Sequence, residues 1–276
     1  MSALGGGSSG GDGINPTASV IAIVILLVAV GIVYVMYPAA LFPLIGVIIG
    51  GALIAFGVHF VPVGGAPAAM GQAPGIATGV AMLAAGAGLA GLFGGAWAAH
   101  YGLWVALGAG AIGGALLMAI TCLMVNVVYV YAMGIPAASG KVEKDPITGD
   151  TFPEYKSSGT EGHGLPFISY VGGVIGGLFG GFGGTLIYME FLAVYEAGLP
   201  TVLMATPEEV VPIAVGLAGI FAVGLFLVNA VITAYNITGT IEGPHDPKFK
   251  RWPRAVIGSS AACAACGLVA ILLVVI

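Results

Sequence analysis

Long apolar segments alternate with short polar segments along this chain of 276 residues. The hydrocarbon core of a bilayer is about 30 Å thick, and a helix needs about 20 apolar residues to cross it. The segments that reach this length are Thr17–Tyr37, Leu41–Phe60, Gly75–Trp97, Leu103–Met133, Leu165–Tyr188, Val210–Tyr235 and Ala255–Ile276. None has the alternating pattern of a membrane β-strand. The sequence therefore predicts an all-α polytopic membrane protein with about seven transmembrane helices.

The polar segments divide the chain into three expected parts. Residues 1–16 are rich in Gly and Ser and lack the Lys or Arg that begins a signal peptide, so we expect a disordered lead. Residues 17–37 are expected to form an extra transmembrane helix. Residues 41–276 are expected to form a six-helix membrane domain with cytoplasmic loops at 135–164 and 236–254.

The basic residues predict the orientation of the chain. They all lie in two loops that are two predicted spans apart, and they are Lys141, Lys144, Lys156, Lys248, Lys250, Arg251 and Arg254. Loops that face the cytoplasm are enriched in Lys and Arg. We therefore expect a cytoplasmic N-terminus and an external C-terminus. An external loop would then carry Glu190, Glu196, Glu208 and Glu209.

The composition agrees with a membrane location. Hydrophobic residues make up 59% of the chain and charged residues 7%, with a mean hydropathy of +1.08. Soluble domains are about 45–50% apolar and about 25% charged. The formal net charge of −5 also leaves no basic surface for a phosphate backbone. A soluble enzyme and a nucleic-acid-binding protein are both excluded.

Two parts of the chain resemble each other in order and spacing. The matched segments are Gly91–Gly95 with Gly177–Gly181, Val125–Val128 with Val228–Val231, and Asp145-Pro146 with Asp246-Pro247. The repeated unit is a helix, an outer turn, a second helix and a cytoplasmic loop. Both copies have the same orientation, which predicts a parallel internal repeat.

Glycines recur every four residues in the fifth predicted span. Gly172, Gly176, Gly180 and Gly184 are expected to share one helix face, and Gly173, Gly177 and Gly181 the neighbouring face. Small residues at this spacing are typical of close helix crossings in membranes. Packing within this chain and packing against other chains both remain open, and two glycine faces favour an oligomer or a multi-subunit complex.

Few side chains in the predicted spans offer chemistry. The candidates for lining an ion path are Asn126, Asn229, Thr121 and Thr233, together with Glu190 just past the fifth span. Their oxygens suit a cation, although polar side chains also bridge membrane helices. Cys263 and Cys266 have redox or metal spacing, but no third ligand follows, so packing is the better interpretation. No catalytic residue and no metal site are predicted.

The predicted cytoplasmic loops hold a second group of candidates. They are His59, Glu161, His163, Glu242, His245, Asp246 and Lys248. Such a set fits a polar substrate vestibule, a metal site or an anion site, and it also fits ordinary turn chemistry. The spacing matches no standard zinc motif.

Several ordered motifs resemble a known family. They are Gly57–Met70, Asp145–Gly149, Gly159–Pro166, Gly239–Gly243 and His245–Arg251. Together they make roughly residues 45–276 similar to the D subunit of the tetrahydromethanopterin S-methyltransferase complex of methanogenic archaea. Familiar members begin near the second span, so residues 1–37 depart from the family pattern as an added segment.

The resemblance implies a function for the complex. A methyl group passes from methyl-tetrahydromethanopterin to coenzyme M through a corrinoid on another subunit, and the reaction drives sodium ions out of the cell. Subunits of the C, D and E types form the membrane portion, in contact with lipid. This chain is then expected to bind no cofactor, to be inactive alone, and to place its cytoplasmic loops near coenzyme M. A sister subunit is expected to supply any main carboxylate ligand for sodium.

Two other functions remain open at this stage. The parallel repeat is compatible with a free-standing secondary transporter, although the predicted spans contain almost no charge. The glycine faces are compatible with a purely structural role in the membrane. Replacing Asn126 and Asn229 would distinguish this role from a sodium path. If the chain is purely structural, these replacements would not alter the sodium dependence of the complex.

Overall fold

The computed structural model describes residues 14–61, 86, 88–134, 144–151, 167–237 and 248–275. In these ranges the chain forms α1 (Pro16–Met36), α2 (Leu41–Val58), α3 (residues 88–98), α4 (Leu103–Val125), α5 (Phe167–Leu203), α6 (Pro207–Ile237) and α7 (Lys248–Leu272). Short 3₁₀ turns precede α2 and α4, and α4 continues as a π-helix over Asn126–Ala132. The described residues contain no strand, which confirms the all-α prediction.

Six described helical segments are long and apolar enough to cross a membrane. They are Pro16–Met36, Pro38–Val58, Leu103–Ala132, Tyr170–Leu203, Pro207–Ala234 and Arg251–Leu272. The third predicted span, Gly75–Trp97, lies only partly within the described residues, where 88–98 are helical. The prediction of a multi-pass helical membrane protein is confirmed, whereas the count of seven spans and the internal repeat remain predictions.

The fifth span is longer than predicted. The sequence suggested an end at Tyr188 and a loop through Glu190 and Glu196, but α5 continues to Leu203. Glutamate has a high helix propensity, so two isolated carboxylates do not interrupt a helix. The connection to α6 is therefore only the segment 204–206, in which Met204 has a φ of 51°.

The start of α6 is fixed by a reciprocal cap. The Thr206 backbone N–H and hydroxyl both donate to Glu209 Oε2, at 2.8 and 2.9 Å. The Glu209 backbone N–H donates to the Thr206 hydroxyl at 3.4 Å. This arrangement is a capping box, and it satisfies N–H groups that a helix start leaves without partners.

One family-like motif forms a compact turn outside the long helices. Asp145 Oδ1 accepts hydrogen bonds from the backbone N–H groups of Ile147 and Thr148, at 2.8 and 3.2 Å. Gly149 follows with a φ of 79°, a left-handed conformation that suits glycine. An antiparallel bridge between Lys144 and Thr151 closes this turn.

The core forms around α5, which packs extensively against both α2 and α4. Ile187, Phe191 and Tyr195 lie on one side of α5 and are fully buried. The Tyr195 hydroxyl donates to the Ala270 carbonyl of α7 at 3.1 Å, which ties the two helices together. In contrast, α1 packs mainly on α7, and its buried residues are Ala29 and Val33. Helix α1 therefore lies beside α7 and contributes Val33 to the core.

The glycines of α5 face three different helices. A Cβ on Gly176 would lie 2.6 Å from the Gly57 carbonyl oxygen of α2, and one on Gly181 would overlap the Gly110 carbonyl oxygen of α4. A Cβ on Gly184 would instead meet the Phe226 ring of α6 at 3.1 Å. The first two are backbone-to-backbone approaches that only glycine permits, whereas a methyl group at Gly184 would require the Phe226 ring to shift slightly.

The prediction that Gly172, Gly176, Gly180 and Gly184 share one groove was wrong. Gly172 and Gly176 approach α2, whereas Gly180 and Gly184 approach Phe226 of α6. An α-helix has 3.6 residues per turn, so a row of every fourth residue drifts by about 40° at each step. After three steps the row has rotated by about 120° and meets another neighbour. At this level of α5, Gly183 rather than Gly180 or Gly184 packs against α2.

Candidate functional site at the junction of three helices

Buried polar side chains concentrate where α2, α6 and α7 meet. Seven polar or charged side chains of the described residues are buried, and four of them lie at this junction: His59, Asn229, Thr233 and Ser259. All four are 0% exposed. Polar groups are costly in an apolar interior, so their concentration at one junction marks it as the candidate site.

Contacts between α6 and α7 set an antiparallel register. Asn229 contacts Cys263, and the next contacts along α6 are Ile232 with Gly258 and Asn236 with Arg254. Asn229, Thr233 and Asn236 follow one face of α6, while Cys263 and Ser259 follow one face of α7. The register therefore places Thr233 at about the level of Ser259.

The Asn229 amide is held in one orientation. Its Nδ2 donates to the Leu225 carbonyl at 2.7 Å and to Cys263 Sγ at 3.1 Å. Rotating the amide would bring Oδ1 against the Leu225 carbonyl oxygen, and two acceptors repel each other. Oδ1 consequently points away from both groups. It has no hydrogen-bond partner among the described residues, and the same is true of Ser259 Oγ.

A glycine of α2 completes the junction. A Cβ on Gly51 would overlap Cys263 Sγ and would lie 3.1 Å from Asn229 Nδ2. Thr233 adds a further oxygen, and its hydroxyl donates to the Asn229 carbonyl at 2.8 Å. Since that hydroxyl uses its proton on the backbone, its lone pairs remain available to a second group.

A polar cluster lies at one end of the junction, where α2 and α6 end and α7 begins. The His59 ring contacts the Ala55 carbonyl through Nδ1 at 2.7 Å and the Asn236 amide through Nε2 at 3.4 Å. This pairing assigns the proton to Nδ1, so that Nε2 accepts from Asn236. Asn236 also accepts from the guanidinium of Arg254 and donates to the Arg251 carbonyl.

The structure separates the predicted ion-path candidates. Asn229 and Thr233 lie together at the junction, whereas Asn126 and Thr121 lie on α4 or at its end. Asn126 is 9% exposed and its side chain hydrogen-bonds Tyr170 of α5. This contact joins α4 to α5, so the two asparagines occupy different settings, and the role of Asn126 in an ion path remains a prediction.

Glu190 is in a different place from the one predicted. It lies within α5 rather than past its span, half-buried, and its side chain fills the space beside Gly46 of α2. A Cβ on Gly46 would lie 2.6 Å from Glu190 Oε1. The other carboxylates of the described candidate spans, Glu196, Glu208 and Glu209, are exposed. Glu190 is thus a second candidate on the opposite side of α2.

The loop candidates are mostly beyond the described residues. Glu161, His163, Glu242, His245 and Asp246 lie outside them, and Lys248 is described only as the backbone start of α7. His59 does not lie at an open loop edge as expected, because its ring is fully buried and hydrogen-bonded within the helices. The predicted vestibule remains a prediction.

Sequence reasoning missed Ser259, Asn236 and Gly51. One signal was available, since Ser259 and Cys263 are four residues apart on α7, as Asn229 and Thr233 are on α6. Two such pairs predict two polar helix faces. Their meeting depends on the register between α6 and α7, which is a tertiary feature.

Comparison with known proteins places this architecture in a family. A family model described as the D subunit of tetrahydromethanopterin S-methyltransferase matches residues 40–263. The chain belongs to this family. Proteins that carry the same name are similar to it over most of their length. The relative from Methanosarcina barkeri is 51% identical over 229 residues, which are 81% of this chain and 90% of the relative.

Other methanogens carry comparable proteins of the same name. The one from Methanothermobacter thermautotrophicus is 51% identical over 225 residues, or 82% of this chain and 93% of the relative. The one from Methanocaldococcus jannaschii is 42% identical over 242 residues, which are 86% of this chain and 98% of the relative. The region matched by the family model includes Gly51, Asn229 and Ser259, while α1 precedes it.

Proposed function

We propose that this chain is an integral-membrane subunit of a sodium-translocating methyltransferase complex. In that complex a methyl group passes from methyl-tetrahydromethanopterin to coenzyme M by way of a corrinoid held on another subunit. This chain helps to build the sodium path and the membrane scaffold, alongside subunits of the C and E types. It is not catalytic alone, and its N-terminus faces the cytoplasm.

The polar junction carries this proposal. Oxygen ligands are what a hard cation needs, and Asn229, Thr233 and Ser259 bring uncharged oxygens into a buried position between three helices. Polar and ionisable groups inside membrane segments are costly, and they often mark ion pathways. The half-buried Glu190, beside α2, adds one carboxylate within a candidate span.

The cytoplasmic side of the proposal concerns coenzyme M, which carries a sulfonate and a thiol. In the proposed orientation, the end of the bundle with His59, Arg251 and Arg254 faces the cytoplasm. Guanidinium groups bind anionic oxygens well. Coenzyme M is therefore expected to approach the loops that continue from this end.

Replacing Asn229 tests the sodium role directly. Leucine keeps the approximate volume and removes both polar groups, so Asn229→Leu is expected to raise by at least about tenfold the sodium concentration that gives half-maximal methyl transfer, the equivalent of about 1.4 kcal/mol. The measurement is the methyl-transfer rate of the purified complex against sodium concentration. Cys266→Ala, a small change elsewhere on α7, serves as the matched control.

A structural role predicts a different outcome. If Asn229→Leu leaves the sodium dependence of an intact complex unchanged, the side chain only joins helices and the path lies in other subunits. This conclusion requires that the complex still co-purifies with the variant chain, which we expect because the glycine contacts of α5 provide the scaffold. If the complex does not assemble, the milder substitution Asn229→Ser, which retains one oxygen, is tested instead.

A further inference from the structure

We propose that the junction of α2, α6 and α7 is a binding site for one small monovalent cation, ligated by Asn229 Oδ1 and Ser259 Oγ. The inference deepens the sodium-path role proposed above and rests on it. It assigns a ligand role to Ser259, which the sequence did not single out. It also identifies the occupant by charge and size.

The two oxygens are the starting observation. Asn229 Oδ1 and Ser259 Oγ are both buried and have no hydrogen-bond partner among the described residues. Buried polar atoms without a partner are rare, and each one calls for an explanation such as an ion, a water molecule or strain. Two of them on facing helices, at neighbouring levels of the same junction, call for one shared explanation.

The arrangement of donors selects the charge of the ligand. Oδ1 is only an acceptor, and Nδ2 is already used on Leu225 and Cys263. The Thr233 hydroxyl donates its hydrogen bond to the Asn229 carbonyl, so its lone pairs remain available to a ligand. An anion would meet the lone pairs of Asn229 Oδ1 and of the Thr233 hydroxyl, which disfavour it. A cation or a donating water molecule fits.

Among the described residues the junction holds no carboxylate, and this selects a single positive charge. Divalent cations such as Ca²⁺ and Mg²⁺ take carboxylate ligands. The described groups beside Asn229 are Leu225, Thr233, Cys263 and Gly51, and all are uncharged. The basic side chains His59 and Arg254 lie in the polar cluster at the end of the junction. Neutral oxygens alone stabilise a monovalent ion without a matching buried negative charge.

The packing selects a small ion. Gly51 brings the α2 backbone so close that even a methyl group there would overlap Cys263 Sγ. Such a close approach of three helices favours a partly dehydrated ion of sodium size over a larger one. The affinity of a metal site falls with the charge of its ligands, and neither Asn229 Oδ1 nor Ser259 Oγ is charged. We expect binding in the millimolar range.

Thermal unfolding of the purified complex tests the site with sodium chloride as the probe. A ligand that binds only the folded state stabilises it by RT ln(1 + [L]/Kd) and so raises the Tm. At constant ionic strength, about 100 mM sodium chloride in place of choline chloride is expected to raise the Tm of this chain by about 3 °C. Potassium chloride is expected to raise it less.

Two variants of α7 locate the effect. Ser259→Ala is expected to abolish most of the sodium-dependent shift. Ser260→Ala, at the next position and only half-buried, is expected to retain it. Because each variant is compared with itself in choline, a general loss of stability does not imitate the result.

Other outcomes overturn the site. An equal sodium shift in the Ser259→Ala variant places the ion elsewhere, and no shift in the wild type indicates a bound water molecule instead. Neither result decides the proposed function, which is tested separately by sodium-dependent methyl transfer. A complex that needs sodium for methyl transfer while lacking this shift would retain the function and lose only the site.

Discussion

Gly181→Ala is expected to disturb the pairing of α4 with α5 and to lower the free energy of unfolding substantially. The new Cβ would overlap the Gly110 carbonyl oxygen and would lie 3.3 Å from the Gly114 Cα. Both obstacles are backbone atoms, so no side-chain rotation relieves the clash. Overpacking a tight core costs about 1–3 kcal/mol and occasionally more, and we expect the upper end of that range here. The measurement is the free energy of unfolding in mixed detergent micelles.

A glycine with open surroundings provides the control for this prediction. Gly108 lies on α4 close to the same crossing, but a Cβ there would meet no atom within 4 Å. Gly108→Ala is therefore expected to be neutral or slightly stabilising, since alanine is the better helix former. Equal stabilities for the two variants would show that α4 and α5 do not approach as closely as described.

Gly51→Ala is expected to be the second strongly destabilising change, and one that can be relieved. Its Cβ would overlap Cys263 Sγ, and a sulfur atom, unlike a backbone carbonyl, is removable by mutation. We expect a loss of about 1–3 kcal/mol for the single variant. Adding Cys263→Ala is expected to restore a large part of that loss, because the remaining Cβ of residue 263 lies 3.2 Å from the new methyl group.

A double-mutant cycle makes this second prediction quantitative. Contacting residues show interaction energies of about 0.5–3 kcal/mol, whereas distant pairs are additive. Gly51→Ala with Cys263→Ala is expected to fall in that range, and Gly51→Ala with Cys122→Ala, on α4, is expected to be additive. Additivity in both pairs would contradict the described packing of α2 against α7.

The sequence predicted the helices because length and apolarity alone determine which segments cross a bilayer. Leu103–Met133 was predicted, and helical structure extends from Leu103 to Ala132. The end of α5 was missed because Glu190 and Glu196 were interpreted as loop residues. The structure places Glu190 against Gly46, where the missing side chain of the glycine makes room for the carboxylate.

The sequence predicted only part of the candidate site. Asn229 and Thr233 were chosen because they are polar and lie in an apolar span. Their importance depends on Gly51 and Ser259, which do not stand out in a chain with 48 glycines. Only the register of α6 against α7 shows that Ser259 lies level with Thr233. The periodicity of a single helix carries no information about that register.

The proposed role of this chain is that of a membrane subunit in a corrinoid-dependent methyltransferase complex. Its most direct test is affinity purification of this chain from its native cell in mild detergent, followed by the visible spectrum and cobalt content of the eluate. We expect several co-eluting subunits and a stoichiometric corrinoid. A colourless single chain that remains intact would contradict it and would favour a free-standing transporter.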